Sequence, residues 1–194
     1  YPFSLIFRLG TKIRNITNKS QKSPLPIICV GNIVIGGDIT TSGGTSSSGA
    51  GLAGGAVSIE ARNAGTLTIS TGADIVTTGS AASSGDSAGG DGGNVTLNTN
   101  STAITLNDTL ISAAGGAASG SGSVGDGGDI LISDPLTLAN GTTTINTGTG
   151  GGTVTFSGAI ESDGDDNDLL VVTSGTGNVT FTGAIGVTEE LGGL

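Results

Sequence analysis

The stretch Gly152-Thr-Val-Thr-Phe-Ser-Gly-Ala-Ile160 returns 25 residues later as Gly177-Asn-Val-Thr-Phe-Thr-Gly-Ala-Ile185, with seven of nine positions identical. Looser copies begin at Gly54, Gly92 and Gly127, where a glycine pair and one small or polar residue precede an alternating stretch. Internal repeats of this period are typical of solenoids, in which each repeat forms one rung of a stack.

Apolar residues within the repeats alternate with Thr and Ser, and this period of two predicts β-strands with one buried face. Gly and Asn between the strands supply the positive φ angles that turns need. We expect about six rungs of roughly 20–30 residues each, which together bury one narrow core. The expected inward pairs are Val57 and Ile59, Leu67 and Ile69, Val95 and Leu97, Ile104 and Leu106, Ile130 and Ile132, Leu136 and Leu138, Val154 and Phe156, and Val179 and Phe181.

Two stretches, Ser80–Gly93 and Ser112–Gly128, are too rich in small and polar residues to be strands. We expect them to be loops that leave the stack on one side. Glycine- and serine-rich tracts are also typical of flexible linkers, so disorder is the alternative for these loops. The regular alternation elsewhere argues against disorder for the repeats as a whole.

Charge divides the chain. Five of the six basic residues lie in the first 22 positions, and all sixteen acidic residues come at Asp38 or later. We therefore expect two segments that join near Gly37: residues 1–37 as a leader and residues 38–194 as the β-solenoid. The net charge of -10 argues against a nucleic-acid partner, whose phosphates require clustered cations. The absence of an initiator Met leads us to expect a fragment of a longer parent protein.

The leader shows the spacing of a short amphipathic helix. Its apolar face would consist of Ile6, Leu9, Ile13 and Ile16, with basic residues beside it. Such a helix either packs on a neighbouring element or touches an anionic membrane surface. The following stretch, Pro26–Val30, reads as a fully buried strand.

The repeat segment resembles the β-strand repeats of very large bacterial proteins of the filamentous haemagglutinin kind. The likeness rests on Gly37-Asp-Ile-Thr-Thr-Ser-Gly-Gly44, on the glycine-led strand starts, and on the run Gly177–Gly186. The resemblance implies a right-handed parallel β-helix that is secreted or displayed on the cell surface. It also implies a structural or adhesive role, with a surface receptor, a glycan or further rungs of a parent chain as the partner.

The leader resembles a second family, since Leu25-Pro-Ile-Ile-Cys-Val-Gly-Asn-Ile-Val-Ile-Gly-Gly37 is similar to the start of tetraacyldisaccharide 4'-kinase. That family uses ATP and magnesium to phosphorylate a lipid A precursor at the cytoplasmic face of the inner membrane. Its phosphate-binding loop continues as Thr-Gly-Lys-Thr, whereas this chain continues Asp38-Ile-Thr-Thr-Ser42 and lacks the lysine. Under this alternative the chain is an inactive remnant of a kinase. The nucleotide-binding positions would then be Gly31, Asn32, Gly36 and Gly37.

Residues suited to catalysis are scarce. The chain has no histidine, which excludes His-based triads and His metal sites, and the lone Cys29 reads as a core residue. We therefore expect no enzymatic activity in the repeats and no cofactor.

Calcium binding is an alternative at two places. The run Val124–Ile132 nearly matches a calcium-binding nonapeptide, with Asp126 and Asp129 as ligands. Asp163 and Asp165 lie in a second acidic loop, which lacks the Gly and Glu of a calcium hand, and a solvated turn is the favoured interpretation of both places.

Ice binding is a minor alternative, because ladders of Thr-x-Thr pairs on a β-helix can order water. Thr66 and Thr68, Thr153 and Thr155, and Thr180 and Thr182 form such pairs.

Self-association is the last expectation. The final rung would leave Val179 and Phe181 at an uncovered end, whose strand edges recruit other chains. If the leader helix covers the first rung, deletion of Tyr1–Lys22 would increase this association.

Overall fold

The computed structural model describes residues 5–8, 11–17, 24–47, 49–164 and 167–193. All regular structure in these residues is β-strand, and no helix occurs among them. The strands are β1 (Leu5–Arg8), β2 (Thr11–Ile13), β3 (Ile16–Thr17), β4 (Leu25–Val30), β5 (Ile33–Ile35), β6 (Ile39–Thr40), β7 (Val57–Arg62), β8 (Leu67–Ile69), β9 (Ile75–Val76), β10 (Val95–Asn98), β11 (Ile104–Asn107), β12 (Leu110–Ser112), β13 (Ile130–Ile132), β14 (Leu136–Ala139), β15 (Thr142–Asn146), β16 (Val154–Phe156), β17 (Ile160–Ser162), β18 (Leu169–Thr173) and β19 (Val179–Phe181).

Three parallel sheets enclose the core. The first sheet has the order β1-β4-β7-β10-β13-β16-β19, the second β17-β14-β11-β8-β5-β2, and the third β18-β15-β12-β9-β6-β3. Each run of three consecutive strands therefore makes one rung with one strand in each sheet. The described residues form six such rungs, and β19 begins a seventh, which single bridges from Ile160 to Ile185 and from Leu169 to Gly193 continue. The prediction of an all-β parallel solenoid is confirmed.

The core consists of columns of inward residues that run along the stack. One column passes from Ile27 through Ile59, Leu97, Ile132 and Phe156 to Phe181 in continuous register. The expected inward pairs of the inner rungs are all buried, and burial of each side chain contributes ~1.5–3 kcal/mol. At the last rung the Phe181 ring stacks on Phe156 with centroids 5.0 Å apart, and Val179 remains 37% exposed.

The predicted leader helix is wrong. Its face would have been Ile6, Leu9, Ile13 and Ile16, and Leu9 lies outside the described residues. The segment instead forms β1, β2 and β3, in which Leu5 pairs with Ile27 and Ile16 with Ile39. A short isolated helix is marginal in water, whereas strands at this place pair the backbone edges of β4, β5 and β6. Ile13 is buried in the shared core as a result.

The later part of the leader, Pro26–Val30, belongs to a strand as predicted, but that strand is not fully buried. In β4 the side chains of Ile27 and Cys29 are buried, while Val30 is 41% exposed. Burial alternates because the outer face of the sheet meets solvent rather than a second layer. No structural boundary falls at Gly37, since β5 and β6 are consecutive strands of one rung on either side of it.

Candidate functional site

Three consecutive rungs carry a long loop at the same corner of the solenoid, and these loops are the main irregular part of the described structure. They connect the third strand of one rung to the first strand of the next and span residues 41–56, 77–94 and 113–129. Later rungs close the same corner with the shorter connections 147–153 and 174–178. Because the long loops belong to consecutive rungs and have similar lengths, they stack on one another. We name this stack the glycine-rich lobe.

Each loop of the lobe has an outgoing and a returning leg, and like legs bond to each other across rungs. Among the outgoing legs, the Gly43 amide donates to the Thr78 carbonyl at 2.8 Å, and Gly79 donates to Ala114 at 2.9 Å. Among the returning legs, Gly54 donates to the Asp91 carbonyl at 2.8 Å. The lobe therefore continues the interstrand hydrogen bonding of the solenoid without strand geometry.

Outgoing and returning legs are also bonded to each other. Amides donate in sequence from Ser80 to Leu52, from Gly90 to Ser80, from Gly116 to Gly90, and from Gly125 to Gly116, at 2.8–3.0 Å. These alternating hydrogen bonds fill the interior of the lobe with backbone atoms instead of side chains. A Cβ on Gly90 would lie 2.1 Å from the Leu52 carbonyl oxygen, so only glycine allows the approach. The interior of the lobe is thus polar backbone satisfied by its own hydrogen bonds.

Threonine hydroxyls join the start of a lobe loop to its end, where both legs meet the core. The buried Thr41 donates its Oγ1 hydroxyl to the Gly55 carbonyl at 2.5 Å, and Thr77 does the same to Gly93 at 2.6 Å. In the opposite direction, the Gly55 amide donates to the Thr41 carbonyl, and the Gly93 amide donates to the Thr77 carbonyl. The loops are consequently anchored where they leave the core.

The tip of the lobe carries hydroxyl and carboxylate groups. Ser83, Ser84 and Asp86 are exposed, as is Ser121 on the next loop. The Asp86 carboxylate accepts the Ser121 amide at 2.9 Å, and this bond holds the pKa of Asp86 below its usual range. The three loops contain no lysine or arginine. This chemistry suits hydrogen bonding to a polar ligand, not acid–base catalysis.

Side-chain oxygens form ladders at the corners of the solenoid. Asn15 accepts the Asp38 amide, Asp38 accepts the Asp74 amide, and Asp74 accepts the Leu110 amide, at 2.9–3.2 Å. A second ladder runs through Asn94, Asp129 and Thr153. Here the Asp129 carboxylate accepts both the amide and the hydroxyl of Thr153 at 2.8 Å. Several acidic residues of the chain thus have a structural role.

The four expected calcium ligands are not all brought together. Asp126 and Asp129 lie in the returning leg of the third long loop, whereas Asp163 follows β17 at a different corner, and Asp165 lies outside the described residues. Next to Asp163, the buried Asp168 carboxylate accepts the Ser162 hydroxyl at 2.8 Å and the Gly141 amide at 3.1 Å. Within the described part of the chain, no three His, Cys, Asp or Glu side chains gather in a group that could hold a metal.

The four nucleotide-binding candidates occupy two turns of the second rung. Gly31 has φ of 107° between β4 and β5, and the Asn32 side chain accepts the Thr66 amide at 3.0 Å. Gly36 and Gly37 follow β5 and pack closely against Lys12 and Asn15 of the first rung. A Cβ on Gly37 would lie 2.0 Å from Asn15 Oδ1. A phosphate-binding loop opens a helix, whereas this turn leads into β6.

The threonine pairs do not stack as Thr-x-Thr ladders. Thr68, Thr105 and Thr137 form one outward column on the second sheet, but Lys12, Val34 and Glu161 complete it. On the first sheet, Leu131 separates Thr96 from Thr155 and Thr180. The outer faces therefore mix hydroxyl, aliphatic and charged groups.

Sequence reasoning found two of the three lobe loops and missed the first, residues 41–56. Its signal was present in the serine run after Thr45 and in the paired glycines at Gly43 and Gly54. The corner ladders were also missed, because an Asn or Asp before a strand resembles any turn residue until the rungs are aligned.

Neither a family model, nor a curated protein, nor a solved structure matches the chain. The described residues contain no helix long and apolar enough to cross a membrane.

Proposed function

We propose that this chain is a structural and adhesive part of a bacterial β-solenoid protein that is secreted or displayed on the cell surface. The observation that carries the proposal is the unbroken stack, in which one apolar core runs from the first rung to the last. Such a stack presents long, regular surfaces and gives neighbouring rungs mutual support, as a shaft or an adhesive fibre requires. The resemblance of the repeats to filamentous haemagglutinin agrees with this role. We take the winding to be right-handed, as parallel strand crossovers almost always are.

The glycine-rich lobe is the part best suited to contact a receptor or a glycan. It projects hydroxyl and carboxylate groups from a backbone that is held by its own hydrogen bonds, so little order has to be gained on binding. Among the described residues of the lobe, Val124 adds an exposed aliphatic side chain to these polar groups.

Binding to cells and to a glycan array tests the adhesive half of the proposal. We expect beads coated with the folded chain to adhere, and the variant Ser84→Arg/Ser123→Arg at the exposed lobe surface to lose most of that adhesion. The matched variant Thr68→Arg/Thr105→Arg adds the same charge to the second sheet and should adhere normally. Absence of adhesion to every cell type and glycan would contradict the adhesive role, and loss only in the matched variant would move the contact to the sheet.

A further inference from the structure

Asparagine often stands two residues before a hydroxyl residue in this chain. Seven of the twelve asparagines belong to the pattern Asn-x-Ser or Asn-x-Thr without an intervening proline, which is the acceptor pattern, or sequon, of N-linked glycosylation. Asn18 lies outside the described residues, and the structure distinguishes among the other six. They are Asn15, Asn94, Asn100, Asn107, Asn140 and Asn178.

Three of these sequons run directly into strands. The two residues after Asn15, Asn94 and Asn178 belong to β3, β10 and β19. Accepting asparagines lie in surface loops, where the chain can enter a transferase. Asn15 and Asn94 also bind a neighbouring rung, since their side-chain oxygens accept the amides of Asp38 and Asp129. These three sequons are therefore poor acceptors in the folded chain.

Two further sequons lie at corners, but their hydroxyl groups are occupied. In the sequon of Asn100, the Thr102 hydroxyl donates to the Gly65 carbonyl at 2.5 Å. In the sequon of Asn107, Thr109 is only 1% exposed and its hydroxyl donates to the Asn107 carbonyl at 3.1 Å. The sequon requires this hydroxyl, so a transferase would have to open the rung to reach either one.

The sequon Asn140-Gly141-Thr142 differs from all of these. It forms the tight turn between β14 and β15, with φ of 62° at Asn140 and 127° at Gly141. Asn140 and Thr142 are both exposed. The Gly141 amide donates to the buried Asp168 carboxylate at 3.1 Å, which holds the turn in this shape. Acceptor and hydroxyl are thus presented together at the surface.

The side-chain amide of Asn140 can take a sugar and keep its present contact. Its nitrogen carries two hydrogens, and Nδ2 donates one hydrogen bond to Asn107 Oδ1 at 2.8 Å. Asn107 in turn donates to the Ile69 carbonyl at 2.7 Å. An N-linked sugar replaces only one of the two hydrogens, so the bond to Asn107 can remain.

We propose that Asn140 is an N-glycosylation site. Its substrate is a sugar whose anomeric carbon is linked to a diphosphate. The anomeric C–O bond breaks as the C–N bond to Asn140 Nδ2 forms, the diphosphate leaves with the bonding electrons, and a base of the transferase takes one amide proton. The site lies between the second and third sheets, whereas the glycine-rich lobe joins the third sheet to the first. Glycosylation therefore leaves the lobe free and does not depend on the adhesive role.

The test uses the folded chain, purified from bacteria without N-glycosylation, and a bacterial N-glycosyltransferase that transfers glucose from UDP-glucose to Asn-x-Ser/Thr. Mass spectrometry of the intact chain and of its peptides counts and locates the added hexose. We expect hexose at Asn140 at least about tenfold faster than at Asn100 or Asn107, whose sequons require local opening. The variant Ser84→Asn/Asp86→Thr gives the exposed lobe tip the same three-residue sequon as a reference. Hexose at the tip but not at Asn140, or at Asn107 first, would overturn the proposal.

Substitutions in the sequon separate recognition from simple exposure. Asn140→Gln and Thr142→Val should each abolish the added hexose at this corner. Thr144→Val makes the same change two residues further along β15 and should be modified at the wild-type rate. Modification of Asn140 that persists in Thr142→Val would contradict recognition of the sequon.

Stability of the modified chain tests the geometry. We expect the glucosylated and unmodified chains to have the same urea midpoint, because the hydrogen bond from Asn140 to Asn107 is kept. A lower midpoint after glucosylation would show that the sugar breaks this corner, and the site would be rejected. Bead adhesion should be unchanged by glucosylation, so the adhesive role and the glycosylation site succeed or fail separately.

Discussion

At the scale of single residues, carboxylates serve as links between rungs, and the predicted metal ligand Asp129 is one of them. Asp129 receives two hydrogen bonds from Thr153 of the next rung, and Asp74 receives one from Leu110. Each link provides a hydrogen-bond acceptor for a backbone amide at a corner of the solenoid. Polar residues before a strand thus help to set the register of the stack.

Removal of one link should lower stability measurably. We expect Asp129→Ala to reduce the free energy of unfolding by about 1 kcal/mol, the usual value of a partly solvated hydrogen bond. Asp126→Ala removes a carboxylate from the same loop, and that exposed carboxylate has no comparable bond to the next rung. Urea denaturation should therefore show a clearly larger shift for the first variant. Equal midpoints would mean that the Asp129 ladder contributes nothing.

The lobe tip should respond to acid through Asp86. Its hydrogen bond with Ser121 lowers the pKa in the folded protein, so the bond is fully present above the ordinary value of ~3.9. It is lost as the pH falls through the lowered folded pKa. We expect the Ser121 amide resonance to titrate below pH ~3.9 in an NMR titration. Asp86→Asn should abolish that titration, and a midpoint above the ordinary value would contradict the assigned bond.

At the scale of elements, the sequence predicted the repeats correctly because inward Val, Ile and Leu recur in a simple pattern. It failed for β1 to β3, because Ile13 and Ile16 fit a helical face as well as a strand pattern over so short a segment. Only the pairing of Leu5 with Ile27 and Ile16 with Ile39 distinguishes the two, and that pairing depends on the rest of the stack. The lobe was only partly predictable, because its glycines allow close backbone contacts between loops that are distant in sequence.

The lobe should depend on glycine at positions of close backbone approach. We expect Gly90→Ala to lower the urea midpoint strongly, with a cost of about 2 kcal/mol, because Leu52 backbone atoms must move. Gly85→Ala at the tip meets only the Ser87 hydroxyl, at 3.9 Å. It should cost only the roughly 1 kcal/mol of its left-handed backbone conformation. The reverse order of midpoints would show that the lobe interior is not packed as described.

The turn at Gly36 and Gly37 should not bind nucleotide. It packs on Lys12 and Asn15, enters a strand, and lacks the lysine and helix of a phosphate-binding loop. We expect no binding heat when magnesium-ATP is titrated into the protein by calorimetry. Micromolar affinity would revive the kinase alternative.

At the scale of the whole molecule, one solenoid spans both segments that charge and composition had separated. The core is continuous from Ile13 to Phe156, with Phe181 packed against it at the far end. The change from basic to acidic residues after position 37 therefore falls within one stack, where β5 and β6 are consecutive strands of the second rung.

The distance between spin labels on the outward column of the second sheet tests the single stack most directly. Val34 and Glu161 are four rungs apart in that column, and Lys12 and Glu161 are five rungs apart. In a Cys29→Ala background, labels at cysteines placed at 34 and 161 should lie about 19 Å apart, and labels at 12 and 161 about 24 Å apart, at ~4.8 Å per rung. Two narrow distributions that differ by one rung would support the account. A broad distribution or a much longer distance for the pair at 12 and 161 would show that β2 does not belong to the solenoid.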